Sequence, residues 1–153
     1  APSVNNWEYE MTARKFEIGG TSNYPGAIAL GETLGLVNEL GVENIEAHIF
    51  DISTYCMDEI EKLGGTLITH RDPDHRSGIV IARLYEDLET ERWILKQLHA
   101  RKIFIAQRFT DYIGGFRISC QYFNNKEDID RMIAGMKELI AEIGRQPDYQ
   151  KKW

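Results

Sequence analysis

Two arginines, Arg108 and Arg117, are the residues of this sequence best suited to bind a small anion. Each lies at or just beyond the end of a segment whose composition predicts a half-buried β-strand. Arg117 stands between Phe116 and Ile118, so strand alternation places it on the opposite face from both. A guanidinium there needs an anionic partner, and its fork shape matches a carboxylate. Either a bound ligand or a structural ion pair with one of the 24 acidic residues would meet that need.

A second candidate is the turn-rich run Gly19-Gly20-Thr21-Ser22-Asn23 near the N-terminus. Glycines expose backbone N–H groups and threonine adds a hydroxyl donor, which is the pattern of an anion-binding turn. The same residue types also mark ordinary turns. The residues alone leave both interpretations open.

The cysteines and histidines predict neither a metal centre nor a disulfide framework. Cys56 and Cys120 form no CxxC pair, and the four histidines lack the spacing of metal ligands. Cys120 follows the strand that carries Arg117, and the positive charge of Arg117 could make Cys120 a reactive thiolate. We favour a small packing residue, because free cysteine is usually buried.

Composition excludes several functional classes. With 42% hydrophobic and 27% charged residues the chain is neither disordered nor membrane-like, and no apolar run approaches the length of a bilayer span. A net charge of -6 argues against binding nucleic acid or anionic lipid. The polar N-terminal segment contains no secretion signal core, and the two cysteines suit a reducing compartment. We therefore expect a cytoplasmic protein.

Hydrophobic periodicity predicts an α+β fold, in which leading helices precede a small β-β-α-β-β-α sandwich. Apolar residues at three- and four-residue steps predict two leading helices, over 27–40 and 42–63. Asp87 or Thr90 caps the next helix, and Asn124 or Asn125 caps the last. Short β-prone segments predict strands at 66–69, 78–84, 103–106 and 115–119.

This pattern divides the chain into four parts. We expect an irregular arm, linking helices, a small C-terminal α+β domain and a tail, at 1–26, 27–63, 64–145 and 146–153. An arm without periodicity packs poorly by itself, so it is expected to lie on another surface.

Several passages, in order, resemble the class V aminotransferase-like proteins. These are pyridoxal 5'-phosphate (PLP) enzymes that include cysteine desulfurases and isopenicillin N epimerase-like enzymes. The passages are FEIGGTSNYPG at 16–26, GVENI at 41–45, GIV at 78–80 and GFRISCQYFNNKEDID at 115–130. The resemblance spans roughly residues 14 to 143 and implies the C-terminal small domain of a fold-type I PLP enzyme.

The resemblance also implies roles for individual residues. The turn before the first helix contacts the PLP phosphate in the neighbouring subunit, which assigns Thr21, with Gly20 and Asn23, to cofactor binding. The closing motif assigns Arg117, with Arg108, to the substrate carboxylate. No catalytic residue and no metal ligand is implied, since the family's Schiff-base lysine lies upstream and no lysine here matches it.

The resemblance thus predicts the C-terminal part of an aminotransferase, lyase or epimerase acting on an amino acid. The PLP lysine would come from a large domain missing from this chain, and the complete enzyme would be a homodimer. The segment between Arg108 and Arg117 is short and contains no cysteine, which disfavours the desulfurase branch. The alternative is a non-catalytic, stand-alone α+β binding or assembly domain.

Overall fold

The structure is a computed structural model that describes residues 9–16 and 22–144. The chain forms two compact units, Ala1–Leu40 and Gly41–Trp153. The first contains a short 3-10 helix, Ala13–Phe16, and the helix α1, Tyr24–Leu40. α1 begins three residues before the predicted start, because the Asn23 side chain accepts the backbone N–H of Gly26 at 3.0 Å and caps the helix. None of its residues is buried.

The second unit confirms the predicted α+β order. Its elements are α2 (Val42–Lys62), β1 (Thr66–Leu67), β2 (Ile79–Arg83), α3 (Leu88–Ala100), β3 (Ala106–Thr110), β4 (Ile113–Ser119) and α4 (Lys126–Ile143). A single-turn 3-10 helix, Pro73–His75, lies between β1 and β2. The four strands form one antiparallel sheet in the order β1-β2-β4-β3.

Capping residues set where the later helices begin and where α4 ends. Asp87, rather than Thr90, caps α3 by accepting the backbone N–H groups of Glu89 and Thr90. Asn125, rather than Asn124, caps α4 in a reciprocal capping box with Asp128. Gly144 ends α4 in the left-handed conformation that glycine adopts without strain.

The core lies on one face of the sheet. Register pairs Val80 with Ile118 and Ala82 with Phe116, so these four residues share a face, and all are buried. Buried side chains of α2, α3 and α4 join them in one cluster, which includes Ile52, Met57, Ile60, Ile94, Leu98, Met132, Met136 and Leu139. α2 is therefore part of the domain core, whereas the sequence had suggested one of two linking helices.

The third strand lies later in the chain than its apolar residues suggest. Predicted at 103–106, it begins at Ala106, because residues 101–103 still close the end of α3. Lys102 has a positive φ of 62°, and Ile103 donates its backbone N–H to the Leu98 carbonyl at 2.9 Å. Pairing with β4 is then set by a two-residue turn, Asp111-Tyr112.

A buried ion pair joins the end of β2 to α3. The Arg83 Nε lies 3.0 Å from Glu91 Oε2, and the Glu91 side chain is fully buried. Glu91 also accepts the backbone N–H groups of Leu84 and Tyr85 at 2.9 and 3.3 Å. Burial raises the pKa of Glu91, and these donors and Arg83 oppose that rise.

No helix in the described ranges has the length and apolar character needed to cross a membrane.

We expect Glu91→Gln to lower the free energy of unfolding by about 3 to 5 kcal/mol, because it leaves the Arg83 guanidinium buried without its counter-charge. Urea unfolding followed by circular dichroism measures this loss. Glu89→Gln is the matched control: Glu89 lies on the same helix, exposed, and its pair with Arg92 should contribute no more than about 1 kcal/mol. Equal losses in the two variants would contradict a structural role for the buried pair.

Candidate functional site

Arg117 occupies the middle of β4, which is paired on both sides. Its strand neighbours are Ile81 of β2 and Ala106 of β3. Because Phe116 and Ile118 on either side of it are buried on the helix-covered face, Arg117 lies on the opposite face, where it is half-buried. The alternation predicted from the sequence is confirmed.

Arg108 lies on the same face as Arg117. Register places Ala106 opposite Arg117, and residues two apart on a strand point the same way, so Arg108 is a diagonal neighbour of Arg117. Diagonal neighbours in an antiparallel pair are about 7 to 8 Å apart, within reach of long side chains. Arg108 is exposed and Arg117 is half-buried. The structure thus brings the two predicted carboxylate ligands together.

Neither arginine has an acidic partner within residues 9–16 and 22–144. Other arginines of the second unit do have such partners. Arg71 contacts Asp58 and Glu61, and Arg101 contacts Glu138 at 2.9 Å. The structural ion pair that the sequence left open for Arg117 is therefore not formed by this part of the chain.

The hairpin that carries both arginines is short and tightly turned. Asp111 and Tyr112 link β3 to β4 with φ values of 48° and 67°, the left-handed conformation of a two-residue hairpin turn. Tyr112 is 99% exposed at its tip. A Cβ at Gly115, opposite Arg108, would clash with the Ala82 carbonyl oxygen, so only glycine allows β4 to approach β2 this closely.

The predicted phosphate-binding residues fall partly outside the described ranges. Gly20 and Thr21 lie outside the described ranges, so their role stays a prediction. Asn23 is described, and its Oδ1 caps α1. Asn23 therefore stands where a helix N-terminus presents a partial positive charge, a setting that favours anions.

The described lysines do not fit the role of carrying PLP. That role requires a neutral amine, which a desolvated pocket provides, whereas every described lysine is exposed. Lys62 also contacts Glu59, whose carboxylate raises the pKa of the lysine. Lys126 lies 3.0 Å from Asp51. Among the described residues, no lysine lies in a desolvated setting that would suit cofactor attachment.

The environment of Arg76 was not predicted from the sequence. Its guanidinium donates to Ser53 Oγ and Thr54 Oγ1, both at 2.7 Å, and lies 4.7 Å from the centre of the Phe50 ring. The pKa of the Cys120 thiol is lowered first by a hydrogen bond from Cys56 and then by the charge of Arg76, whereas the sequence had suggested Arg117 as the positive neighbour. Arg117 cannot fill that role readily, because residues 117 and 120 lie on opposite faces by alternation. These contacts could not be predicted, because Arg76 lies in a polar turn whose sequence has no periodic pattern.

Comparison with known proteins points to one family. The family model described as Aminotransferase class-V matches residues 1–132. A probable cysteine desulfurase of Halalkalibacterium halodurans is 29% identical over 85% of this chain and 33% of its own length. An uncharacterized aminotransferase of Schizosaccharomyces pombe is 28% identical over 86% of this chain and 31% of its own. The chain thus spans about a third of these relatives.

Solved structures show the same fold. The cysteine desulfurase of Thermococcus onnurineus superposes with a TM-score of 0.74 at 18% identity, over 92% of this chain and 36% of its own. The Escherichia coli cysteine desulfurase CsdA gives a TM-score of 0.63 at 18% identity, over 80% of this chain and 32% of its own. With a family model that matches most of its length, the chain belongs to the class V aminotransferase family.

Proposed function

We propose that this chain is the C-terminal part of a PLP-dependent enzyme acting on an amino acid, and that Arg117 and Arg108 bind the substrate carboxylate. One observation carries the proposal: two guanidinium groups share one open face of the sheet, and no described acidic residue neutralises them. A carboxylate offers two oxygens to a guanidinium fork, which gives orientation as well as affinity.

The two arginines are suited to different parts of this task. Arg117 is fixed in a strand that pairs on both sides, so little freedom is lost when it binds. Its partial burial also strengthens a charged hydrogen bond relative to the same bond in water. Arg108 is exposed on the outer strand and adds a second positive charge at the entrance to the site.

PLP, when bound, would supply the electron sink for breaking a bond at the substrate Cα. From this chain, Thr21, Gly20 and Asn23 would hold the phosphate, a proposal supported by the anion-friendly N-terminus of α1 beside Asn23. A large domain outside this chain would supply the lysine and most other phosphate contacts. The relatives support that arrangement, because they are about three times as long as the matched region.

The hairpin geometry bears on the type of reaction. Only Asp111 and Tyr112 separate β3 from β4, and no cysteine lies between Arg108 and Arg117. A desulfurase needs a cysteine nucleophile near the substrate, and this segment cannot provide one. We therefore propose an aminotransferase, lyase or epimerase reaction, although several relatives carry the name cysteine desulfurase.

We further propose that the complete enzyme is a cytoplasmic homodimer. Support comes from the two free thiols, which suit a reducing compartment, and from the apolar side chains that α1 leaves exposed. Exposed residues of this helix include Ile28, Leu30 and Leu34.

In the complete enzyme, we expect Arg117→Lys to lower kcat/KM for the amino-acid substrate about a hundredfold. Lysine keeps the charge but loses the two-pronged hydrogen bond, at a cost of about 2 to 3 kcal/mol. Steady-state kinetics measures the effect, and the melting temperature is recorded on the same protein.

Arg92→Lys is the matched control for that experiment, because Arg92 is exposed and, among the described residues, pairs only with Glu89 on its own helix. It should leave kcat/KM and stability near wild type. If Arg117→Lys reduces the melting temperature while kcat/KM stays unchanged, Arg117 is a structural residue. That result would favour the alternative of a non-catalytic binding or assembly domain.

A separate prediction concerns cofactor attachment. Mixed with PLP and treated with borohydride, the 153-residue chain should show no stoichiometric modification of a single lysine, because its described lysines are all exposed and none lies in a desolvated pocket. Mass spectrometry of tryptic peptides measures the modification. One lysine labelled to completion, at PLP concentrations that leave the other lysines unlabelled, would contradict the assignment of that role to another domain.

A further inference from the structure

A cavity opens in the second unit where β4 extends beyond its pairing with β3. β4 continues to Ser119, but the last residue that it pairs with β3 is Arg117, opposite Ala106. Residues 103–105 precede β3 and are not part of the sheet. They line a cavity of about 270 Å³ together with residues 118–120 and part of α4. This volume has room for about nine water-sized groups, which suits a small ligand.

The cavity has an apolar floor. Ile118, Ile129 and Met132 line it, and all three belong to the buried core of the unit. Ile103 and Ile105 also line it and are half-buried. Small-molecule sites combine such a floor with a few polar groups that orient the ligand. The floor therefore favours a ligand with an apolar part.

Phe104 adds a large apolar side chain that is left in water. It lines the cavity and is 72% exposed. His99 holds this segment in place, because its Nε2 donates to the Ile105 carbonyl at 2.8 Å and its ring lies 5.5 Å from the Phe104 ring. A ligand that covers the Phe104 ring would remove further apolar area from water.

The charged side chains of the cavity leave an excess of positive charge. Lys102 and Arg131 line it, and neither forms a salt bridge within residues 9–16 and 22–144. Asp128 is the one acidic residue among those that line it. Its Oδ2 accepts the Asn125 backbone N–H at 3.2 Å and the Asn124 side-chain amide at 3.3 Å, so this carboxylate serves the start of α4. Two cations are thus available to an anion.

We propose that this cavity binds a small carboxylate with an apolar tail. The carboxylate is held by Lys102 and Arg131, and the tail lies on the floor that includes Ile118 and Met132. A tail of about five carbons, together with the carboxylate, fits the available volume. Charge and floor contribute separately, so a neutral molecule with the same tail or an anion without a tail binds more weakly.

This site is distinct from the one proposed for the substrate carboxylate. Ile118 faces the helix-covered side of the sheet, whereas Arg117 and Arg108 lie on the opposite face. Binding here requires neither PLP nor another domain, because every residue that lines the cavity belongs to the second unit. The site can therefore be tested whether or not the proposed function is correct.

A titration of the 153-residue chain with hexanoate tests the proposal. With isoleucine methyl groups labelled with carbon-13, the signals of Ile103, Ile118 and Ile129 should shift progressively, with a Kd of about 1 mM. Ile60 and Ile94 are buried but do not line the cavity, so their signals should stay in place. 1-Hexanol, which lacks the charge, should bind about tenfold more weakly, and acetate, which lacks the tail, should cause no shift.

The two cations are tested by substitution. Lys102→Gln combined with Arg131→Gln should weaken hexanoate binding about tenfold. Arg92→Gln combined with Lys137→Gln is the matched control, because it removes the same charge from exposed residues that do not line the cavity. The control should bind hexanoate as the wild type does.

Three results would overturn the proposal. The first is the absence of any shift at the three methyl groups that line the cavity, at hexanoate concentrations up to about 50 mM. The second is equal hexanoate binding by the wild type and the variant without Lys102 and Arg131. The third is binding of 1-hexanol as tight as that of hexanoate, which would leave an apolar cavity without selectivity for anions.

Discussion

The pairing of β4 on both edges is the interaction on which the rest of the second unit depends. Backbone hydrogen bonds to β2 and β3 fix which side chains of this strand face the core and which face the opposite side. Its even-numbered residues, Phe116 and Ile118, enter the core, and the odd-numbered Arg117 faces away. A slip of one residue would bury the guanidinium and expose both apolar side chains, so the hydrophobic core and the anion-binding face are set by the same register.

Glycine and the hairpin turn make that register possible. Gly115 allows the β4 backbone to lie against Ala82, where any larger residue would clash. At the other end, Asp111 and Tyr112 adopt positive φ values and close the hairpin in two residues. Together they place Arg108 beside Arg117 without a long connection between the strands.

Local sequence patterns predicted much of this structure. The spacing of apolar residues indicated α2 and α4, and the alternation around Arg117 gave its face correctly. For two helices the capping residue was predicted to within two candidates, of which Asn125 caps α4 and Asp87 caps α3. These features depend on residues close together in the chain, where side-chain period and hydrogen-bonding type carry the information.

Features that depend on long-range contacts could not be obtained in the same way. The apolar run at 103–105 looks like a strand but lies outside β3, because the turn that closes α3 extends to Ile103, and Lys102 in it has a positive φ. The contacts of Arg76 with Ser53 and Thr54 depend on the path of a polar loop whose sequence has no periodic pattern. Whether an arginine finds an acidic partner is likewise decided by tertiary structure, as the contrast between Arg101 and Arg117 illustrates.

The exposed tip at Tyr112 has a consequence for how sequence length can vary within this fold. Thr110 already pairs with Ile113, so residues inserted between them would project beyond the sheet and leave every pair of β3 and β4 intact. Lengthening such a loop costs only about 0.6 kcal/mol for each doubling. The same two-stranded base can therefore carry a minimal turn or an extended segment, and new chemical groups can be acquired at this point without rebuilding the domain.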